Sequence, residues 1–142
     1  MTAVEFHFNA PDRLQAVCRL AAQAMADGER VLIYAPEPEL AARVDRLMWT
    51  WPATGFVPHC AVEDALAPET PVLIARDEQA PANVRVLVNL APECPPHFAR
   101  FEHLFEVVGR EDAEREAARA RYREYKARGY AIANHDLAAN DG

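Results

Sequence analysis

Two short segments place side chains together whose chemistry could support catalysis or metal binding. The first is His59-Cys60, which has the residue types of the thiolate–imidazolium pair in cysteine enzymes. Neighbours on an extended segment point to opposite faces, so these two side chains would pair only through a special turn. A buried structural cysteine is therefore the favoured interpretation. The chain contains no serine, which excludes a serine nucleophile.

The second segment runs from Cys94 to His97, and its two-residue gap would suit a metal ion. Zinc sites of this kind need a second pair of ligands, and the sequence offers none. Cys18, Cys60 and Cys94 are widely separated and odd in number, which argues against a disulfide framework. We therefore expect neither a metal nor a cofactor. The histidines form no spaced cluster: His7, His59, His97, His103 and His135.

Motifs that bind nucleotides are absent from the sequence. The turn after the first predicted strand, residues 9–12, has no glycine that would let a pyrophosphate approach the backbone. Neither a Rossmann fingerprint nor a Walker A loop is present. The hypothesis of a small α/β enzyme therefore has little support, although it stays open as an alternative.

The charge balance argues against contact with phosphates. The 142 residues carry a formal net charge of -7, with a pI near 5.2. Each phosphate contact needs local positive charge, so we expect no direct nucleic-acid binding. No segment approaches the roughly twenty apolar residues of a membrane span, and the N-terminus lacks the basic flank of a signal peptide. A cytoplasmic protein that does not bind membranes is expected.

The elements that must position these residues alternate between strands and helices. Val31–Tyr34 is apolar without alternation, which is typical of a strand buried on both faces of a parallel sheet. Strands are predicted at residues 4–8, 31–34, 56–57, 72–75, 84–88 and 104–108, and helices at 12–26, 36–48, 96–101 and 111–128. This order predicts a single open, mostly parallel, Rossmann-like α/β sheet flanked by helices. We expect one domain over residues 1–133 and a flexible tail over 134–142.

A segment with two prolines and a glycine concentrates large aromatic side chains. Trp49, Trp51 and Phe56 fall within residues 47–59, where regular structure is interrupted. Aromatic side chains beside a loop either seal one end of the core or anchor a partner protein. The pattern alone leaves both interpretations open.

The last predicted helix carries a basic stripe. Arg115, Arg119, Tyr122 and Lys126 are four, three and four residues apart, so they share one helical face. Such a face could bind an acidic peptide with an apolar end. Acidic residues early and basic residues late in a helix also suit the helix dipole without any ligand, so a solvated face is the alternative.

Taken in order along the chain, several short blocks resemble the chi subunit family of bacterial DNA polymerase III, a member of the clamp-loader complex. The resemblance spans nearly the whole length, and a series of blocks in the same order is far more specific than any one of them. The blocks are residues 6–9, 47–50, 56–60, 71–74, 86–90, 98–101, 106–108 and 118–130.

This resemblance implies a non-catalytic subunit with two protein partners. One is the psi subunit, which joins it to the clamp loader, and by similarity Trp49 and Phe56 match the psi-contact surface. Trp51 beside them could instead serve packing. The other partner is the C-terminal tail of single-stranded DNA-binding protein, which is acidic and ends in Ile-Pro-Phe. The matching tail-site residues are Val108, Arg115, Arg119, Tyr122 and Arg123. A repair helicase in place of psi is an alternative that the sequence does not separate.

Overall fold

The strands form one continuous parallel sheet in the computed structural model, which describes residues 1–50 and 57–138. In chain order they are β1 (Ala3–Phe8), β2 (Val31–Tyr34), β3 (His59–Ala61), β4 (Val72–Ala75), β5 (Val86–Asn89), β6 (His103–Val107) and β7 (Ile132–Asp136). Across the described residues the strand order is β3-β4-β2-β5-β6-β1-β7. Every neighbouring pair is parallel, which confirms the predicted open α/β sheet.

The α-helices are α1 (Arg13–Ala26), α2 (Pro38–Thr50) and α3 (Asp112–Ala127). The helix α1 begins as predicted because Asp12 caps it, its carboxylate accepting a hydrogen bond from the Gln15 amide at 3.1 Å. The helix α2 lies two residues later than predicted, with Pro38 at its first position, where a fixed φ is favourable. Gly129, at φ +85°, ends α3. The helix predicted over residues 96–101 is only a 3-10 turn, Phe98–Arg100.

Both faces of the sheet are covered, so alternate residues of the central strands enter different cores. On one face Val31 and Ile33 pack with α1 and α2, and on the other Leu32 and Tyr34 pack with α3. This explains the continuous apolar run of β2. Among the described residues, no helix has the length and apolar content needed to cross a membrane.

Two strands differ from the sequence-based prediction. The strand β3 begins at His59 and not at residue 56, and Val57 is buried just ahead of it. Phe56 lies outside the described residues. The strand β7 was not predicted, because its polar, largely exposed residues lack the alternation of a half-buried strand. It pairs with β1 from Val4–Ile132 to Phe8–Asp136. Residues 134–136 therefore belong to the sheet and not to the predicted tail, while the single-domain interpretation stays a prediction.

Candidate functional site

A pocket of about 260 Å³ opens at the carboxyl ends of β1 and β6, beside the first half of α3. Open parallel α/β sheets generally bind ligands outside this edge. Val108, Arg115, Arg119 and Tyr122 all line the pocket, so the structure brings together four of the five residues predicted for a peptide-binding site. Arg123, the fifth, is exposed on α3 and does not line it.

The floor of the pocket is apolar and aromatic. Phe6 and Val108 are almost fully buried there, and the half-buried Tyr122 stands at the side. The ring centroids of Phe6 and Tyr122 are 5.2 Å apart, with an interplanar angle of 59°. Lys126 Nζ lies 5.9 Å from the Tyr122 centroid, and Lys126 does not line the pocket. A small apolar or aromatic group would find matching packing here.

The rim of the pocket is positively charged. Arg115 and Arg119 are both exposed, and within the described part of the chain no ion pair involves Arg115. Arg119 Nη1 lies 3.5 Å from Glu116 Oε1, an exposed pair of the kind that is worth very little energy. Glu114 is directed elsewhere, since its Oε1 accepts a hydrogen bond from the Gly109 amide at 3.0 Å and lies 3.6 Å from Arg13 Nε. Both rim arginines are therefore available to an anionic ligand.

Some lining residues were missed by sequence reasoning. Asn9 adopts a left-handed conformation with φ 60°, and its Nδ2 donates a hydrogen bond to Asp136 Oδ1 at 3.1 Å. This contact ties the end of β1 to β7, which contributes Asn134 to the pocket wall. Asn9 belongs to a block that resembles the family and could have been considered. Asn134 carried no signal, because β7 itself was not predicted.

The second candidate surface centres on Trp49, the next-to-last residue of α2. Its side chain is 61% exposed, and its ring centroid lies 5.0 Å from that of His59. His59 is buried and held in place, with Nδ1 2.7 Å from the Val57 carbonyl oxygen and Nε2 3.4 Å from Asp45 Oδ1. Trp49 therefore exposes a large aromatic side chain to solvent while its ring packs against the immobile His59. Aromatic anchor residues of protein interfaces have this arrangement. Phe56 and Trp51 lie outside the described residues.

The two segments singled out for catalysis or metal binding are held by packing contacts. His59 packs against α2, whereas Cys60 packs into the core on the opposite face of the sheet. Cys94 Sγ lies 3.9 Å from the Arg121 carbonyl oxygen, and burial raises the pKa of this thiol. The His97 ring packs against Tyr34, at a centroid distance of 5.0 Å. Each of these side chains is therefore occupied by packing.

A buried polar network is the strongest electrostatic feature that the sequence did not reveal. Glu106 is completely buried, and its carboxylate accepts hydrogen bonds from Arg121 Nε at 2.9 Å, Tyr125 Oη at 2.6 Å and Asn89 Nδ2 at 2.9 Å. Burial raises the pKa of Glu106, while Arg121 and the other two donors oppose that shift. The hydrogen-bonding capacity of the Glu106 carboxylate is satisfied by partners inside the core. The network therefore stabilises the fold.

Comparison with known proteins identifies the family of the chain. Residues 1–133 match the family described as DNA polymerase III chi subunit, HolC. DNA polymerase III subunit chi of Pseudomonas aeruginosa is 35% identical over 143 residues, covering 96% of this chain and 98% of that protein.

The corresponding subunit of Escherichia coli is 32% identical over 117 residues, covering 82% of this chain and 80% of that protein. That of Haemophilus influenzae is 27% identical over 124 residues, covering 87% and 86%. Since the family match covers nearly the whole length and two of the relatives are more than 30% identical over most of it, the chain belongs to the DNA polymerase III chi subunit family of the replication machinery.

Proposed function

We propose that this protein is a non-catalytic adaptor of the polymerase holoenzyme in the bacterial cytoplasm. The pocket beside α3 binds the C-terminal tail of single-stranded DNA-binding protein. The exposed surface around Trp49 binds the psi subunit of the clamp loader. The observation that carries the proposal is an apolar pocket with two exposed arginines at its rim.

Charge and shape together support the tail as the ligand. An acidic peptide that ends in an aromatic residue has a carboxylate for Arg115 or Arg119 and a ring that packs against the apolar lining of Phe6, Val108 and Tyr122. Charge-assisted hydrogen bonds of this kind contribute about 1.5 to 3 kcal/mol each. The flexible tail loses entropy on ordering, so we expect micromolar affinity, about 8 kcal/mol.

The net charge of the chain fits the same proposal. A formal charge of -7 opposes direct contact with DNA phosphates, whereas a small basic rim suffices for a short acidic tail. The protein then reaches single-stranded DNA through another protein. Several tails on one oligomer add avidity to each weak contact.

The test is calorimetric titration of the full chain with a synthetic tail peptide. We expect micromolar binding that weakens as salt is raised, because both partners are charged at the contact. Arg119→Ala removes a rim charge and should reduce the affinity at least tenfold, about 1.4 kcal/mol. The matched control is Arg19→Ala on α1, an exposed arginine on the opposite side of the sheet, which should bind as the wild type does. Equal affinity in Arg119→Ala and the wild type would contradict the proposal.

A further inference from the structure

Three side chains that can bind metal ions meet on the α1-covered face of the sheet, at the edge formed by β1 and β7. They are Glu5 and His7 of β1 and His135 of β7. His7 and His135 lie directly opposite each other in the parallel register, with ring centroids 4.6 Å apart and planes 14° from parallel. Glu5 precedes His7 by two residues and so faces the same side. The sequence separation of about 130 residues hid this cluster, because β7 was not predicted.

The distances within the cluster are close to those of a metal site. Glu5 Oε1 lies 3.3 Å from His7 Nε2 and 3.1 Å from His135 Nε2, and all three ligand atoms lie within 4.8 Å of one another. In a tetrahedral zinc site with bonds of about 2.0 to 2.1 Å, neighbouring ligand atoms are roughly 3.3 Å apart. Both carboxylate–imidazole spacings already match this value. Only the two rings must reorient, and His135 is exposed enough to rotate out of the stack.

His7 supplies a second, independent reason to expect a ligand. Its side chain is only 10% exposed, and its Nε2 makes no hydrogen bond within the described residues, with Glu5 Oε1 3.3 Å away. A buried polar atom without a good partner carries a desolvation penalty that a metal bond would remove.

We propose that Glu5, His7 and His135 form a binding site for a divalent transition-metal ion of the zinc type. Two imidazoles and one carboxylate suit Zn²⁺, whereas Mg²⁺ and Ca²⁺ prefer oxygen ligands. Glu5 and His7 also line a pocket of about 410 Å³ beside α1, so water or a small ligand can complete the coordination. A bound ion joins β7 to β1. It thereby fixes the strand that contributes Asn134 to the wall of the pocket beside α3.

The test uses the full chain without any histidine tag, titrated with ZnCl₂ and separately with MgCl₂ by calorimetry near neutral pH. We expect one equivalent of zinc, no magnesium binding, and a Tm that rises with zinc concentration, because the ion binds only the folded state. His135→Asn should reduce zinc affinity at least tenfold, since even outer-shell changes cost 10- to 100-fold, and it should abolish the rise in Tm. This residue is exposed, so the variant should fold.

The matched control is His103→Asn, because His103 lines the same pocket but is not a member of the cluster. It should bind zinc as the wild type does. Titration with Co²⁺ distinguishes this site from the cysteines, since a thiolate ligand adds a charge-transfer band that two imidazoles and a carboxylate do not. The proposal is overturned by equal zinc affinity in His135→Asn and the wild type, by no zinc binding in the wild type, or by a thiolate band.

Discussion

At the scale of single residues, Glu106 is the most consequential side chain of the core. Its carboxylate is buried on β6, and Arg121, Tyr125 and Asn89 from other elements donate hydrogen bonds to it. An isolated buried carboxylate would be very costly, but one with three donors is stable. The network therefore joins α3 to the middle of the sheet, and it holds the helix whose outer face lines the pocket.

Removal of one partner of this buried ion pair should be strongly destabilising. In Arg121→Met the Glu106 charge remains buried without its guanidinium, and we expect a loss of about 3 to 5 kcal/mol in the free energy of unfolding. Urea denaturation followed by circular dichroism measures the change. Arg119→Met on the exposed face of α3 is the matched control, with an expected change within about 0.5 kcal/mol.

A double variant separates lost charge pairing from lost packing. Glu106→Gln combined with Arg121→Met removes both charges, so it should be more stable than Arg121→Met alone. A double variant that is less stable than Arg121→Met would show that the cost arises from packing and that the ion pair is not its cause.

His97 should make stability depend on pH. Its ring is buried, and neither nitrogen has a hydrogen-bond partner among the described residues. Burial lowers the pKa of His97 below its usual value of 6.5, with Arg100 adding to the shift and Glu78 opposing it. The neutral ring is therefore favoured in the folded state, and the unfolded chain takes up the proton first. Stability is retained above the unfolded pKa and falls as the pH drops below about 6.5.

His97→Phe removes this titration and keeps an aromatic ring in contact with Tyr34 and Phe101. We expect the variant to lose less unfolding free energy than the wild type between about pH 7.5 and pH 5.5. Urea denaturation at both pH values measures the difference. Some pH dependence should remain, because burial also lowers the pKa of His7. Identical pH dependence in the two proteins would contradict this role of His97.

At the scale of elements, the sequence identifies the helices and strands whose own residues carry a local pattern. The apolar run of β2 predicts a central parallel strand, and the spacing of Arg115, Arg119 and Tyr122 predicts the face of α3 that lines the pocket. Both signals lie within a single segment of the chain, which is why the folded structure keeps them. Arg123 follows Tyr122 directly, so it falls beyond the edge of that face.

Elements and clusters that depend on pairing were not accessible to sequence reasoning. The strand β7 is an exposed edge strand with polar residues. It is extended because its backbone pairs with β1, and its own side-chain pattern does not indicate a strand. The Glu106 network and the cluster around His7 likewise join residues from distant parts of the chain. No local spacing encodes such contacts, because they depend on strand order and register.

At the scale of the whole molecule, the strand order separates the two candidate surfaces. Trp49 packs on His59 of β3 at one edge of the sheet, while the pocket lies beside β1 and β7 at the other. With five strand spacings of about 4.8 Å between β3 and β1, the surfaces are roughly 24 Å apart. A tail peptide and a protein partner could therefore bind at the same time without contact between them.

This separation predicts that the two proposed interactions fail independently. Trp49→Ala truncates the exposed anchor on α2, and we expect it to weaken binding to purified psi subunit by about 2 to 4 kcal/mol, as the loss of an interface hot spot does. The same variant should bind the tail peptide with wild-type affinity, whereas Arg119→Ala should show the reverse, and calorimetry with each partner measures both.

Leu66→Ala is the matched control for this experiment, because Leu66 is 62% exposed, close to the 61% of Trp49, but lies outside α2, just before the 3-10 turn Ala67–Glu69. It should leave psi binding within about 0.5 kcal/mol of the wild type. If Trp49→Ala bound psi as tightly as the wild type does, the aromatic surface would have no role in that contact. If instead Trp49→Ala also lost the tail peptide, the two edges of the sheet would be coupled and the adaptor could not act as two independent surfaces.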